Sequence, residues 1–280
     1  MLFRSKPRQF VPENILIQEW NDIQTYFEQL LQSEIKSVTD LENWLQKRTE
    51  LESVVGEDYR WKFVHQSCDT KNLEKEAALN GFIDKIMPHW MQISNQLNEK
   101  VSHSEYLNQL DQEKFKIYTR DLKNSLELFR QENIPIFTEV DKLSNEYGKI
   151  SGAMTVEHEG ETLTLQQAQK LLQSSDRVLR KEIFEKVQNR RAEDKEKLED
   201  LFDQLLKLRH QIAFNAGFDN YRDYMMKSLG RFDYGVKECE DFHEAIAQVI
   251  VPIMKKINQE RSDKRQISPL KPYDLDVSVY

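Results

Sequence analysis

Glycine, proline and cysteine are all scarce in this chain. Eight Gly and seven Pro in 280 residues are too few breaks for a fold of many short strands and tight turns, so long helices are expected instead. The two cysteines, Cys68 and Cys239, lie far apart, which argues for a reducing compartment over a disulfide framework. No run approaches the ~20 apolar residues that a membrane span requires. The opening "MLFRSKPRQF" carries basic residues without an apolar core, so no secretion signal is read and a cytoplasmic location is expected. Basic runs are missing as well. A net charge of −8 and a pI near 5.4 argue against nucleic acid or an anionic membrane as the main partner.

What is present fits a soluble, mainly α protein: 39% hydrophobic and 31% charged residues, in a chain long enough for one large domain or two ordinary ones. Trp20, Ile23, Phe27 and Leu30 form an amphipathic stripe after Pro12 and Asn14. Asp40 is the expected N-cap of a second helix carrying Leu41, Trp44, Leu45, Leu51 and Val55. A third helix is predicted over about 70–100. A fourth carries Phe115, Tyr118, Leu122, Leu126 and Phe129, and "NIP" at 133–135 is expected to break it. Alternation at Met154 and Val156, then Thr162 and Thr164, around Glu159-Gly160 predicts one small β-hairpin near 152–165.

Thr164 with Gln167 reads as a capping box that restarts helix. One or two long helices should follow over 176–216, with Leu198, Leu201, Leu205, Leu208 and Ile212 on one seam. Gly217 and Gly230 stand where C′ glycines belong, and a last helix over about 235–264 should kink at Pro252. From Tyr273 the chain alternates strictly, with Tyr273, Leu275, Val277 and Val279 on one side, so a terminal β-strand is expected. The fold class is therefore stacked long antiparallel helical hairpins with one small hairpin. The division is an N-terminal helical region, 1–150, continuous with a hairpin-plus-helices region, 151–280.

No complete active site emerges from the residues. His243-Glu244 begins the zinc-helix pattern His-Glu-x-x-His, but Ala247 occupies the second histidine position. His158-Glu159 fails likewise at Thr162. Glu240 and His243 have the spacing of a di-iron Glu-x-x-His pair, yet no other histidine has a glutamate three residues before it. Cys239 with His243 supplies two ligands and no evident third. Glu196, Asp200 and Asp203 beside Lys195, Lys197 and Lys207 read as solvent-facing ion pairs. Arg190-Arg191 is too short for a nucleic-acid patch. No Gly-rich phosphate loop or Gly-x-Ser-x-Gly elbow is present. Catalytic and metal residues are therefore assigned to none, and substrate-binding residues remain unassigned.

Six stretches carry a family resemblance: "RQFVPENI", "LFRQENIPIFTEV", "EYGKISGAMTVEHEGETLTLQQAQKLL", "RHQIAFNAGFDNYRDYM", "GRFDYGVKECEDFHEAI" and "KPYDLDV". In order and spacing they resemble the N-terminal half of an oligoendopeptidase F-type zinc metallopeptidase, of the thimet-oligopeptidase superfamily. Lys271 and Tyr273 depart from the family's arginine-proline-tryptophan-aspartate segment. The resemblance implies an α-helical peptidase with a deep channel that hydrolyses short peptides. Its zinc helix lies in a second half, expected after residue 280 and not in this sequence. On that basis the chain is expected to be a non-catalytic channel wall, inactive alone and holding no zinc itself. Its partners would be its own catalytic half and short peptides. The alternative is a free-standing helical scaffold or peptide-binding module, which should end on a cap or polar tail; "VSVY" looks more like a cut.

Overall fold

Ile23, Phe27 and Leu30 are buried on one side of α1 (Asn21–Gln32), each such burial stabilising by roughly 1.5–3 kcal/mol. They meet Leu41, Trp44, Leu45 and Leu51 of α2 (Val38–Cys68) in the main core. The computed structural model describes residues 7–278, and their helices and single hairpin match the mainly α class read from the sequence. The chain divides into two compact units, residues 1–149 with 204–230, and residues 150–203 with 231–280.

In the first unit consecutive helices pack on one another: α1 on α2, α2 on α3 (Leu73–Lys85), α3 on α4 (Met87–Ser102), and α4 on α5 (Gln112–Leu128). The segment expected as one helix over 70–100 is two, because Pro88 sits in the first turn of α4 and Ile86 serves as the junction. Ser37, not Asp40, caps α2. Its side chain accepts from the Asp40 N–H, while Asp40 accepts from the Lys36 N–H at 3.2 Å. As the third residue of the helix, Asp40 reaches back past the cap and ties the residue before it.

Two partly buried side chains fix the C-terminal end of α1 and the segment before the helix. Glu50 accepts from the backbone N–H groups of Gln9, Phe10 and Val11 at 2.7–2.9 Å. Lys100 donates to the carbonyls of Leu30, Leu31 and Ser33, placing a cation where the helix dipole is negative.

Leu128 ends α5, and "NIP" opens the next helix, α6 (Asn133–Gly152), rather than only ending the previous one. Proline is tolerated there because first-turn N–H groups have no intrahelical partner. Asn133, fully buried, donates to the carbonyl of Ile212 at 3.0 Å and accepts from Asn215 at 2.7 Å. Arg130 reaches the carbonyls of Asn215 and Ala216 at 2.9 and 3.3 Å. These contacts close the C-terminus of α9 (Lys195–Asn215), where Gly217 adopts φ +86°. The Gly217 N–H meets Phe214 O and the Phe218 N–H meets Ala213 O, both at 2.9 Å, the paired bonds of a Schellman cap. α10 (Tyr221–Ser228) follows and ends at Gly230, φ +65°.

In the second unit, β1 (Thr155–His158) and β2 (Glu161–Thr164) pair antiparallel from Thr155↔Thr164 to His158↔Glu161. Glu159 and Gly160 both have positive φ, 51° and 84°, the two-residue turn that matches strand twist. The Thr164–Gln167 capping box starts α7 (Leu165–Lys170) as expected. α8 (Arg177–Glu193) is separated from α9 only at Asp194, so the long segment is two helices. The last helical stretch comprises α11 (Val236–Ala245), a π turn at Ile246–Ile250, and α12 (Val251–Arg265). Pro252 lacks the N–H that would continue α pairing across this point, and the π turn is where the pattern yields.

The expected terminal strand does not form. Pro272–Asp274 is a turn of 3-10 helix, residues 275–278 lie in no strand, and the predicted Val279 falls outside the described residues. The alternation misled because it inverts at its start: Asp274 is fully buried and Leu275 is 42% exposed, although Val277 is buried as the pattern expects.

Candidate functional site

Among the described residues, chemistry-bearing side chains gather in three places, and none of the three forms a catalytic constellation. The most developed lies in the second unit, at the start of α8. Arg180 and Asp274 are both fully buried and meet at 2.9 Å. Arg177 adds a bidentate pair to the same carboxylate at 3.1 and 3.0 Å, and the Lys271 N–H donates to it at 2.9 Å. The remaining Arg180 donors reach the carbonyls of Tyr273, Ser174 and Ser175 at 2.8–3.1 Å. Burial by itself would raise the Asp274 carboxyl. Hydrogen bonds from Arg177, the Lys271 N–H and Arg180 outweigh it and hold the carboxyl at about 2. Such a carboxylate is a permanent anion at neutral pH and a poor base. The cluster clasps the "KPYDLDV" segment to α8. Alternation concealed it; the charge of Asp274 directly after Pro272-Tyr273, inside an apolar pattern, is the signal that could have revealed it.

The second place is the hairpin. His158 is mostly buried, with Glu182 at 3.7 Å from Nδ1 and Glu159 at 4.0 Å from Nε2. The two carboxylates face different ring nitrogens, so histidine and both acids cannot converge on one ion. Lys186 ties Glu182 at 2.7 Å and donates to the carbonyl of Glu157 at 2.9 Å. Hydrogen bonding and the charge of Lys186 keep the Glu182 carboxyl below its ordinary range.

The third place, in the first unit, is a polar cavity of about 220 Å³ bordered by Gln66, Glu76, Asn80, Asn145 and Lys149. Lys149 and Glu76 are paired there at 2.9 Å. Also in the first unit, burial pushes Asp141 up, and burial together with the Asp141 charge raises the Tyr59 hydroxyl. The cavity holds ion-paired groups and no nucleophile.

Cys239, Glu240 and His243 stand on α11, none of whose residues is buried. Glu196, Asp200 and Asp203 are exposed along α9, and Lys195 pairs with Glu199 at 3.6 Å. Arg190 is tied to Asp194 at 2.6 Å. Arg191 borders an open groove of about 470 Å³ with Leu198, Glu199 and Phe202. Among the described residues, no three His, Cys, Asp or Glu side chains are placed to hold a metal ion. Zinc needs three protein ligands, so the residues present do not fit that metal.

Comparisons with known proteins place this architecture. A description of the Peptidase M3 N-terminal domain matches residues 11–129, and one of Peptidase family M3 matches residues 170–278. No curated protein matches. Among solved structures, PZ peptidase A with an inhibitor is 24% identical at TM-score 0.85, covering 91% of this chain and 45% of that one. A protein of Bacillus anthracis str. Ames assigned as an oligoendopeptidase F is 20% identical at TM-score 0.86, covering 92% and 47%. Another assigned as an oligoendopeptidase F is 22% identical at TM-score 0.88, covering 95% and 47%. These likenesses show the fold, and the chain spans about half the length of the structures it matches. Two descriptions of one family, matched in order across most of its length, establish that this chain belongs to the M3 peptidase family.

Proposed function

We propose that this chain is the N-terminal, channel-wall part of a zinc metalloendopeptidase that hydrolyses short peptides, acting with a second half that carries the metal. The observation that supports the reading most is the coverage. The fold aligns over 91–95% of this chain but 45–47% of the three relatives above, so those proteins hold about as much chain again. Zinc, when bound by that second half, would supply a Lewis acid and an activated water. This chain's own contribution is a helical wall, held together within each unit. Asn133 and Arg130 lock α6 to the end of α9 within the first unit, and Asp274 locks its segment to α8 within the second. No helix among the described residues is long and apolar enough to cross a membrane, and a cytoplasmic location is part of the proposal.

The test is metal analysis and peptide cleavage with the purified 280-residue chain. The expected result is no stoichiometric zinc and no cleavage by the chain alone, with cleavage appearing when a zinc-bearing second half is supplied. One tightly held zinc per chain would overturn the assignment. Tight peptide binding that needs no second half would favour a free-standing binding module.

A further inference from the structure

From Val236 to Arg265 the second unit carries a helix interrupted only by its π turn, and none of its residues is buried. It is nevertheless apolar along one side. Ile250, Ile253, Met254 and Ile257 follow the i, i+3, i+4, i+7 spacing of a single helical face, and each is 42–48% exposed. Val249 and Val251 flank that face, and Phe242, two turns earlier, is 64% exposed. Lys255, Lys256 and Gln259 fall off the stripe. A contiguous apolar patch of this kind marks an interaction surface, and its ridge spacing suits another helix.

We infer that this stripe is the seat of an apolar helical face on a second polypeptide half, the counterpart of the part of the solved relatives that this chain does not span. The inference rests on the reading under Proposed function and names the surface that reading requires. The occupant is argued from length and fold together. The relatives reproduce this fold at TM-scores of 0.85–0.88 and contain about as much chain again. The stripe presents Ile, Val and Met with no acid or base inside it, which suits an apolar protein face and gives a charged ligand nothing to pair with.

The probe is the separately produced second half of the Bacillus anthracis relative, mixed with the full 280-residue chain. Association is measured by sedimentation and titration calorimetry. A 1:1 complex is expected, weakened at least ~10-fold by the double substitution Ile253→Asp, Ile257→Asp. Leu73→Asp, at a 76% exposed position of α3, should leave affinity unchanged. Because no residue of the α11–α12 stretch is buried, the double variant should keep the wild-type far-UV circular dichroism. Absence of a complex overturns the proposal. So does equal affinity for the double variant, or a stable dimer of this chain that the second half cannot displace. A stripe-dependent complex that cleaves no peptide with zinc present would leave the seat standing and sink the peptidase reading. Cleavage with affinity indifferent to Ile253 and Ile257 would do the reverse.

Discussion

Asp274, itself fully buried, accepts four hydrogen bonds from two arginines and one backbone amide. Removing its charge leaves Arg180 buried without its counter-ion, a defect that costs about 3–5 kcal/mol. Asp274→Asn should therefore destabilise the protein by about that amount at pH 7, read as a lowered denaturant midpoint. The pH dependence has a definite sign. The folded carboxyl sits at about 2, below its ordinary value of 3.8, so its stabilisation is complete above about pH 4 and is lost as pH falls toward 2. That difference is worth roughly 2 kcal/mol. The gap between wild type and Asp274→Asn should narrow by about that much between pH 5 and pH 2.5. A gap of constant size would show that the clasp is not held by charge. Here the sequence was least legible. Period-two alternation reports which residues could face a core in a strand, and it cannot report that a distant arginine has drawn the polar member inside.

At the scale of elements, spacing was a good guide wherever packing and local chemistry agree. The stripe of α1, the hairpin turn at Glu159-Gly160 and the capping box at Thr164 all formed where the residues place them. Helix ends were harder, because Pro88 and Pro135 occupy first turns of new helices, where a missing N–H costs nothing. The seam of α9 was half right: Leu201, Leu205 and Ile212 are buried, whereas Leu198 and Leu208 are only partly covered. The glycine caps were legible, since only glycine holds φ +86° at no steric cost. Gly217→Val forces a β-branched residue into that region and should cost about 1–3 kcal/mol. Open space surrounds the position, so the penalty is backbone strain alone. Gly217→Asn, better tolerated at positive φ, should recover part of the loss in thermal unfolding. Unchanged stability of the valine variant would remove the cap assignment.

For the whole molecule, no sequence pattern could say which apolar faces would find partners within these residues. Apolar residues recur at helical spacing both in α1 and in the α11–α12 stretch, yet Phe27 is fully buried and Phe242 is 64% exposed. The difference lies in tertiary neighbours, which periodicity does not encode. A protein carrying an uncovered face of Ile250, Ile253, Met254 and Ile257 should bind a hydrophobic dye in its folded state. It should also associate weakly with itself as concentration rises. Both effects should fall together in the Ile253→Asp, Ile257→Asp variant while its unfolding free energy stays within ~0.5 kcal/mol of wild type, as exposed positions allow. Sedimentation of the wild type as a strict monomer that leaves the dye dark would mean that the stripe is not a sticky surface. A variant that loses stability along with dye binding would mean that α12 is held by contacts within this chain.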